Sequence, residues 1–252
     1  MKLRSKTLRK GFTLIELLVV IAILGALAGV SYGIFSFLNS GAKQAAATNM
    51  GQIATALGEF KKANASRFPG DDTAKKYEDD KNCEQYAPFR GDYSNDYFHQ
   101  LFACPQSRKS IDETQFYADI PGVEEGDGDI SQGECLKANE NAFAYVMKND
   151  KKKGIRVGVP SNSSAKNCPL MFCCVKTDEG VMEAPKLHFD LEAFDNYAIM
   201  ITTSGKVVPL EVDDGLNKDD DTTGSLSKDH FPKDSKTKTS YIGDYVIVPP
   251  AL

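Results

Sequence analysis

The sequence has no tryptophan and only three histidines, His99, His188 and His230, among 252 residues. None of them stands in a G-x-S-x-G elbow or an H-E-x-x-H pair, and no convincing nucleophile accompanies them. They read as ordinary surface or core histidines, so the usual sequence marks of an enzyme are missing. Basic residues are also outnumbered, with 30 Lys and Arg against 35 Asp and Glu, for a net charge of −5. A general nucleic-acid binder would be basic, and no nucleic-acid partner is expected. No repeat of about 20–50 residues is visible, which argues against a solenoid. At 41% hydrophobic residues the chain is too apolar for a disordered one.

Charge is missing in a more local way too. Residues 1–11 hold Lys2, Arg4, Lys6, Arg9 and Lys10 and no acid, while 12–38 hold a single charge, Glu16. The rest of the chain is far more polar and, without its first 11 residues, carries a net charge of −10. The run FTLIELLVVIAILGALAGVSYGIFSFL at 12–38 would span roughly 40 Å as a helix, enough for a hydrocarbon core of about 30 Å. The basic residues before it should stay cytoplasmic, which sends the remainder to the far side of the membrane.

Three readings compete for this segment. One is a secretory signal peptide cut near Ala26-Leu27-Ala28. A second is a plain single-pass anchor. The third has to account for Glu16, because a charge in the apolar run costs on the order of 2.5–3.5 kcal/mol. A cut between Gly11 and Phe12 explains more. It removes every basic residue and creates an amine on Phe12, one helical turn from Glu16. A Glu facing the amine of a neighbouring copy would neutralise two costly groups together.

The stretch Lys10-Gly11-Phe12-Thr13-Leu14-Ile15-Glu16-Leu17-Leu18-Val19-Val20-Ile21 resembles the processing motif of type IV prepilins and type II secretion pseudopilins. The resemblance covers about the first 60 residues. It implies that a membrane-bound aspartyl peptidase cuts after Gly11 and methylates Phe12, and that Glu16 is the assembly carboxylate. The peptidase's aspartates are its own, so the chain itself is expected not to be an enzyme.

Beyond the apolar run, Ala46, Met50, Ile53, Leu57 and Phe60 recur at spacings of 4, 3, 4 and 3, one helical stripe with polar residues around it. Such a stripe suits a helix packed on its own domain's sheet. Gly25, Gly29 and Gly33 offer a small-residue packing face earlier in the run. Phe68-Pro69-Gly70 should end the helix, because proline disfavours helix in the residue before it. The expected organisation is a basic leader at 1–11, a transmembrane and assembly helix at 12–38, its amphipathic continuation at 39–68, and an exported head at 69–252. The segment 58–69 also resembles the pseudopilin helix end, which favours the secretion branch over the pilus branch.

Residues 70–142 are rich in Gly, Asp, Asn and Pro and read as loops, apart from a short helix at 97–102. Strand-like runs follow at 142–147, 154–159, 170–176, 197–203, 206–212 and 241–248, with Ser204-Gly205 as a hairpin turn. The fold class is therefore α+β: a long N-terminal helix, a loop-rich region and an antiparallel β-sheet head. The pilin fold has the same order.

Six cysteines, Cys83, Cys104, Cys135, Cys168, Cys173 and Cys174, all lie in the exported part, where oxidation is permitted. At least one disulfide is expected, with the 168–174 segment foremost. Zinc held by Cys168, Cys173, Cys174 and His188 is the rival, although the C-x₄-C-C spacing departs from the usual C-x₂₋₄-C pairs. Two acidic stretches, 124–129 and 213–221, are candidates for Ca²⁺, and neither completes the EF-hand pattern. Major pseudopilins carry calcium in a late loop, which points to Asp213, Asp219 and Asp221.

The resemblance implies a structural subunit of a type II secretion pseudopilus in the bacterial inner membrane, with the head periplasmic. Its partners would be other pilin or pseudopilin subunits in a homo- or hetero-oligomeric fibre, the prepilin peptidase and the inner-membrane secretion platform. A minor type IV pilin for adhesion, motility or DNA uptake is the nearest alternative, and a membrane-tethered enzyme or binding domain the alternative of another class.

Overall fold

A computed structural model describes residues 41–131, 134–159, 168–175, 180–183, 189, 194, 197–211 and 244–252. Backbone contacts divide the chain at Gly41, so the helical stripe from residue 42 onward belongs to the head. Among the described residues no helix is long and apolar enough to cross a membrane; the run at 12–38 lies outside them.

The first described element is the helix α1 at 41–63. The predicted stripe is its buried face: Ala46, Met50, Ile53, Leu57 and Phe60 are all fully buried. The helix stops at 63, five residues before its expected end. The Asn64 amide donates back to the Phe60 carbonyl at 2.9 Å. Ala65 and Ser66 then adopt φ values of 53° and 65°, and the Ser66 N–H bonds to the Lys61 carbonyl at 2.9 Å. That left-handed cap satisfies a terminal carbonyl and turns the chain before Pro69 is reached.

The region read as loops contains a helix that the composition hid, α2 (Asp71–Glu78). The second helix there, α3 (Ser94–Ala103), contains the predicted 97–102 segment. Single-turn helices at Lys81–Tyr86, Ser107–Ser110 and Glu113–Phe116 fill the intervals. Side chains tether these pieces. Gln100 donates to the carbonyls of Gly70 (3.1 Å) and Phe89 (2.7 Å) and accepts from the Thr73 hydroxyl (2.6 Å). Buried amides cost free energy unless bonded, so a fully used Gln specifies one arrangement of the loops around it.

The strands are β1 (Phe143–Asp150), β2 (Ile155–Gly158), β3 (Pro169–Cys173), β4 (Met182–Glu183), β5 (Tyr197–Thr202), β6 (Val207–Glu211) and β7 (Tyr245–Val248). Together they form an antiparallel sheet in the order β4-β7-β1-β3-β5-β6, with β2 also paired to β1. Tyr145 pairs with both Met171 and Val248, and Met147 with both Gly158 and Val246. A strand has two edges, so β7 takes one and β3 and β2 lie end to end along the other. The predicted turn between β5 and β6 is present: Gly205 has φ 80°, and its N–H bonds the Thr202 carbonyl at 2.8 Å.

Alternation along the strands sorts two cores. Phe143, Tyr145, Met147, Met171, Ile199, Ile201, Val246 and Val248 cluster with the α1 stripe and with Phe98, Phe102 and Phe116 of the intervening region. Ala144, Val146, Phe172, Ala198, Met200 and Ile247 form the second cluster, under Val159, Val175 and Phe189. Both faces are covered, which is why β1 reads as a continuous apolar run.

Candidate functional site

The predicted processing and assembly residues Gly11, Phe12 and Glu16 lie outside the described residues, as do Asp213, Asp219, Asp221, His188 and His230. What the structure does place is the platform that follows them in the chain. Opposite its buried stripe, α1 exposes Gln44, Thr48, Gln52, Thr55 and Lys62. Their polarity is largely closed locally. Thr48 and Thr55 hydroxyls donate to carbonyls one turn back, at 2.8 and 2.9 Å, and Glu59 pairs with Lys62 at 2.7 Å. Exposed pairs of this kind add little stability. The buried face is what holds α1 to the sheet.

All six cysteines are buried, and none is in a disulfide in the structure. Cys173 and Cys174, consecutive at the end of β3, have their sulfurs 3.6 Å apart. Cys168 sits beside Tyr245, and burial pushes its thiol up to about 12. The Cys83 thiol lies 3.7 Å from the carbonyl of Ala103, the residue before Cys104. Among the described residues no three His, Cys, Asp or Glu side chains gather as a metal site.

The first acidic stretch closes on itself. Asp127 accepts from the Asp129 N–H at 2.8 Å and from Lys137 Nζ at 3.0 Å, and Lys137 also pairs with Glu134 at 2.6 Å. Its ammonium thus pairs with two carboxylates at this turn. Beneath this turn lies a residue that no sequence pattern singles out. Glu113 is fully buried; its Oε1 accepts from the Leu136 N–H at 2.6 Å, and its Oε2 has no hydrogen bond. Burial, with Glu140 and Asp127 nearby, pushes its carboxyl up to about 7, against the pull of the Leu136 and Gly128 amides. In sequence it is one acid in the polar stretch Asp112-Glu113-Thr114-Gln115, and only the fold buries it.

A second polar centre ties the last residues of the chain to α3. Asn141 donates to Ser94 Oγ (2.8 Å) and Asn95 Oδ1 (3.0 Å), and Asn95 donates to the Leu136 and Lys137 carbonyls. The Ala251 N–H bonds Asn95 Oδ1 at 3.0 Å, so the last residues are strapped to the start of α3. His99 is buried, its Nδ1 2.8 Å from the Pro88 carbonyl, and burial lowers its pKa. A cleft of about 500 Å³ lies over Tyr77, Pro88 and Phe89, its rim closed by Arg90 and Glu78 at 2.8 Å.

The family comparison falls on the other end of the chain. The model described as the prokaryotic N-terminal methylation motif matches residues 6–32, a segment that contains Gly11, Phe12 and Glu16. This chain is type IV prepilin-like. The long helix and the antiparallel sheet are consistent with an α+β type IV pilin-like fold. The motif also implies processing by a prepilin peptidase and assembly with other pilin subunits. No curated protein and no solved structure matches the prepilin-like chain.

Proposed function

We propose that this prepilin-like chain is a structural, non-enzymatic subunit of a type II secretion pseudopilus. It would be cut between Gly11 and Phe12, methylated on Phe12, and assembled by its N-terminal helix into a short fibre from the bacterial inner membrane. The head would stand in the periplasm, and the inner-membrane platform would drive growth of the fibre. The observation that carries this reading is the methylation motif at 6–32 with one carboxylate, Glu16, in an otherwise uncharged apolar run. Its preference for secretion over a pilus draws on the segment 58–69. The same reading includes a calcium ion held by Asp213, Asp219 and Asp221 in the late loop.

Glu16 provides the test. In lipid its carboxylate is unfavourable unless paired, and the Phe12 amine of an adjacent subunit can approach more directly than its own. Losing one partner strands the other, the costly case for buried charge. Glu16→Ala should leave the mature terminus at Phe12 and the folded head intact but abolish fibres in electron micrographs and secretion of a reporter substrate. Lost fibres with unaffected secretion would favour the pilus alternative. Normal fibres from Glu16→Ala would sink the assembly argument.

A further inference from the structure

The geometry points to a disulfide between Cys83 and Cys104, formed once the head reaches an oxidising compartment; that timing rests on the export half of the proposed function. Cys83 belongs to the single-turn helix Lys81–Tyr86, and Cys104 caps the C-terminus of α3. The Cys83 thiol lies 3.7 Å from the carbonyl of Ala103, the residue joined directly to Cys104. The Cys104 sulfur lies 3.9 Å from the Asn64 amide that also bonds the Tyr77 hydroxyl at 2.9 Å, and both cysteines act electrostatically on that hydroxyl. Both cysteines are buried, with Cys83 at 7% exposure and Cys104 at 1%. The single-turn helix and the end of α3 thus set the Cys83 thiol against the residue next to Cys104, close enough for Cys104 to act electrostatically on it. No backbone ladder otherwise joins them, so a covalent link there constrains chain that the sheet does not.

The two thiols differ in exposure, which gives the oxidant first access to Cys83, and in acidity, which makes Cys104 the thiolate of the closing step. Burial, then Asp80, keeps the Cys83 thiol protonated beyond its ordinary range. Burial alone would also raise Cys104, but hydrogen bonds from Ser107, Tyr77 and Gln106 bring it below the ordinary thiol value. The outer thiol, Cys83, exchanges with a disulfide oxidant, releasing one oxidant thiol and leaving a mixed disulfide. The Cys104 thiolate then attacks the Cys83 sulfur, the Sγ–Sγ bond forms, and the second oxidant thiol leaves. The two cysteines lose two electrons and two protons in all, and the oxidant disulfide gains them.

Trypsin makes the test direct. Cuts after Lys81, Arg90 and Arg108 place Cys83 alone in the peptide 82–90 and Cys104 alone in 91–108. The full chain, extracted from the cell envelope in detergent, is alkylated while denatured, digested without reductant and analysed by mass spectrometry. A second sample is reduced, refolded in detergent and oxidised with glutathione disulfide. The linked pair 82–90/91–108 is expected in both, about two hydrogens lighter than the sum of its parts. Reductant should lower Tm by on the order of 5–10 °C in the parent chain, and this sensitivity should vanish in both Cys83→Ala and Cys104→Ala. A linked pair only in the glutathione sample supports the disulfide and counts against export of the head. Alkylated Cys83 and Cys104 after glutathione oxidation, or either one linked elsewhere, overturns the inference.

Discussion

Glu113 makes the head less stable at neutral pH than it would be with a neutral side chain, and Glu113→Gln exposes the effect. The residue is fully buried, one carboxylate oxygen has no hydrogen bond, and its pKa rises from the ordinary 4.5 to about 7. Below about pH 4.5 the carboxyl is protonated in both folded and unfolded chains, and its contribution is intact. As pH rises, the unfolded chain gives up its proton first, while the folded chain holds it until about 7. Stability therefore falls with rising pH across that window and is flat above it. At roughly 1.4 kcal/mol per pH unit between the two titrations, the loss is about 3 kcal/mol. Glutamine keeps an oxygen for the Leu136 N–H and carries no proton to lose. Glu113→Gln should match the parent chain near pH 4.5 and exceed it by about 2–3 kcal/mol at pH 8. Urea unfolding of both proteins from pH 4.5 to 8 reads the difference. Other shifted groups, the buried His99 and the half-buried Asp72 and Asp96, cancel in that subtraction. Parallel stability profiles, or a variant less stable at pH 8, would refute the reasoning.

Phe60→Ala empties a fully buried site shared by α1 and Tyr77, whose ring centroid lies 5.9 Å away; a loss of about 3–5 kcal/mol in urea unfolding is expected. Gly158→Ala would put a Cβ 2.6 Å from Phe68 Cβ and 2.8 Å from the Phe68 carbonyl carbon. Backbone must move to admit it, so the urea midpoint should drop by the equivalent of about 1–3 kcal/mol, whereas Gly154→Ala meets no atom within 4 Å but strains a φ of 64°. Millimolar calcium should raise Tm and chelator should lower it, because a ligand bound only by the folded state adds stability by mass action. Asp219→Ala and Asp221→Ala should remove that response, and identical melts with and without calcium would leave no ion in the late loop.

Much of the head was legible because periodicity is a local signal. The α1 stripe, from Ala46 to Phe60, is the buried face, and the β5–β6 turn sits at Ser204-Gly205. Strand ends shifted by a few residues because pairing with a neighbour decides where a strand stops. β1 runs on to Asp150 because β2 pairs there, and β3 stops at Cys173 rather than 176. The helix α2 was missed because Asp71-Asp72-Thr73 reads as turn chemistry. Its helical form depends on burying Ala74 and Tyr77 and on the Thr73–Gln100 bond, 27 residues apart.

The sequence by itself determined the identity of the N-terminal segment. A motif of this kind is carried by residue order alone, so the match of residues 6–32 to the N-terminal methylation motif needs no tertiary contact. It also determined the class of the head, through one period of 3.6 and several of 2. Only the tertiary structure decided which polar groups are costly and which thiols are neighbours. Glu113 looks like any surface acid until Leu136 and Gly128 enclose it. Cys83 and Cys104 are two of six cysteines until α3 ends beside the turn at Lys81–Tyr86. Burial and proximity are properties of distant segments brought together, and no local pattern encodes them.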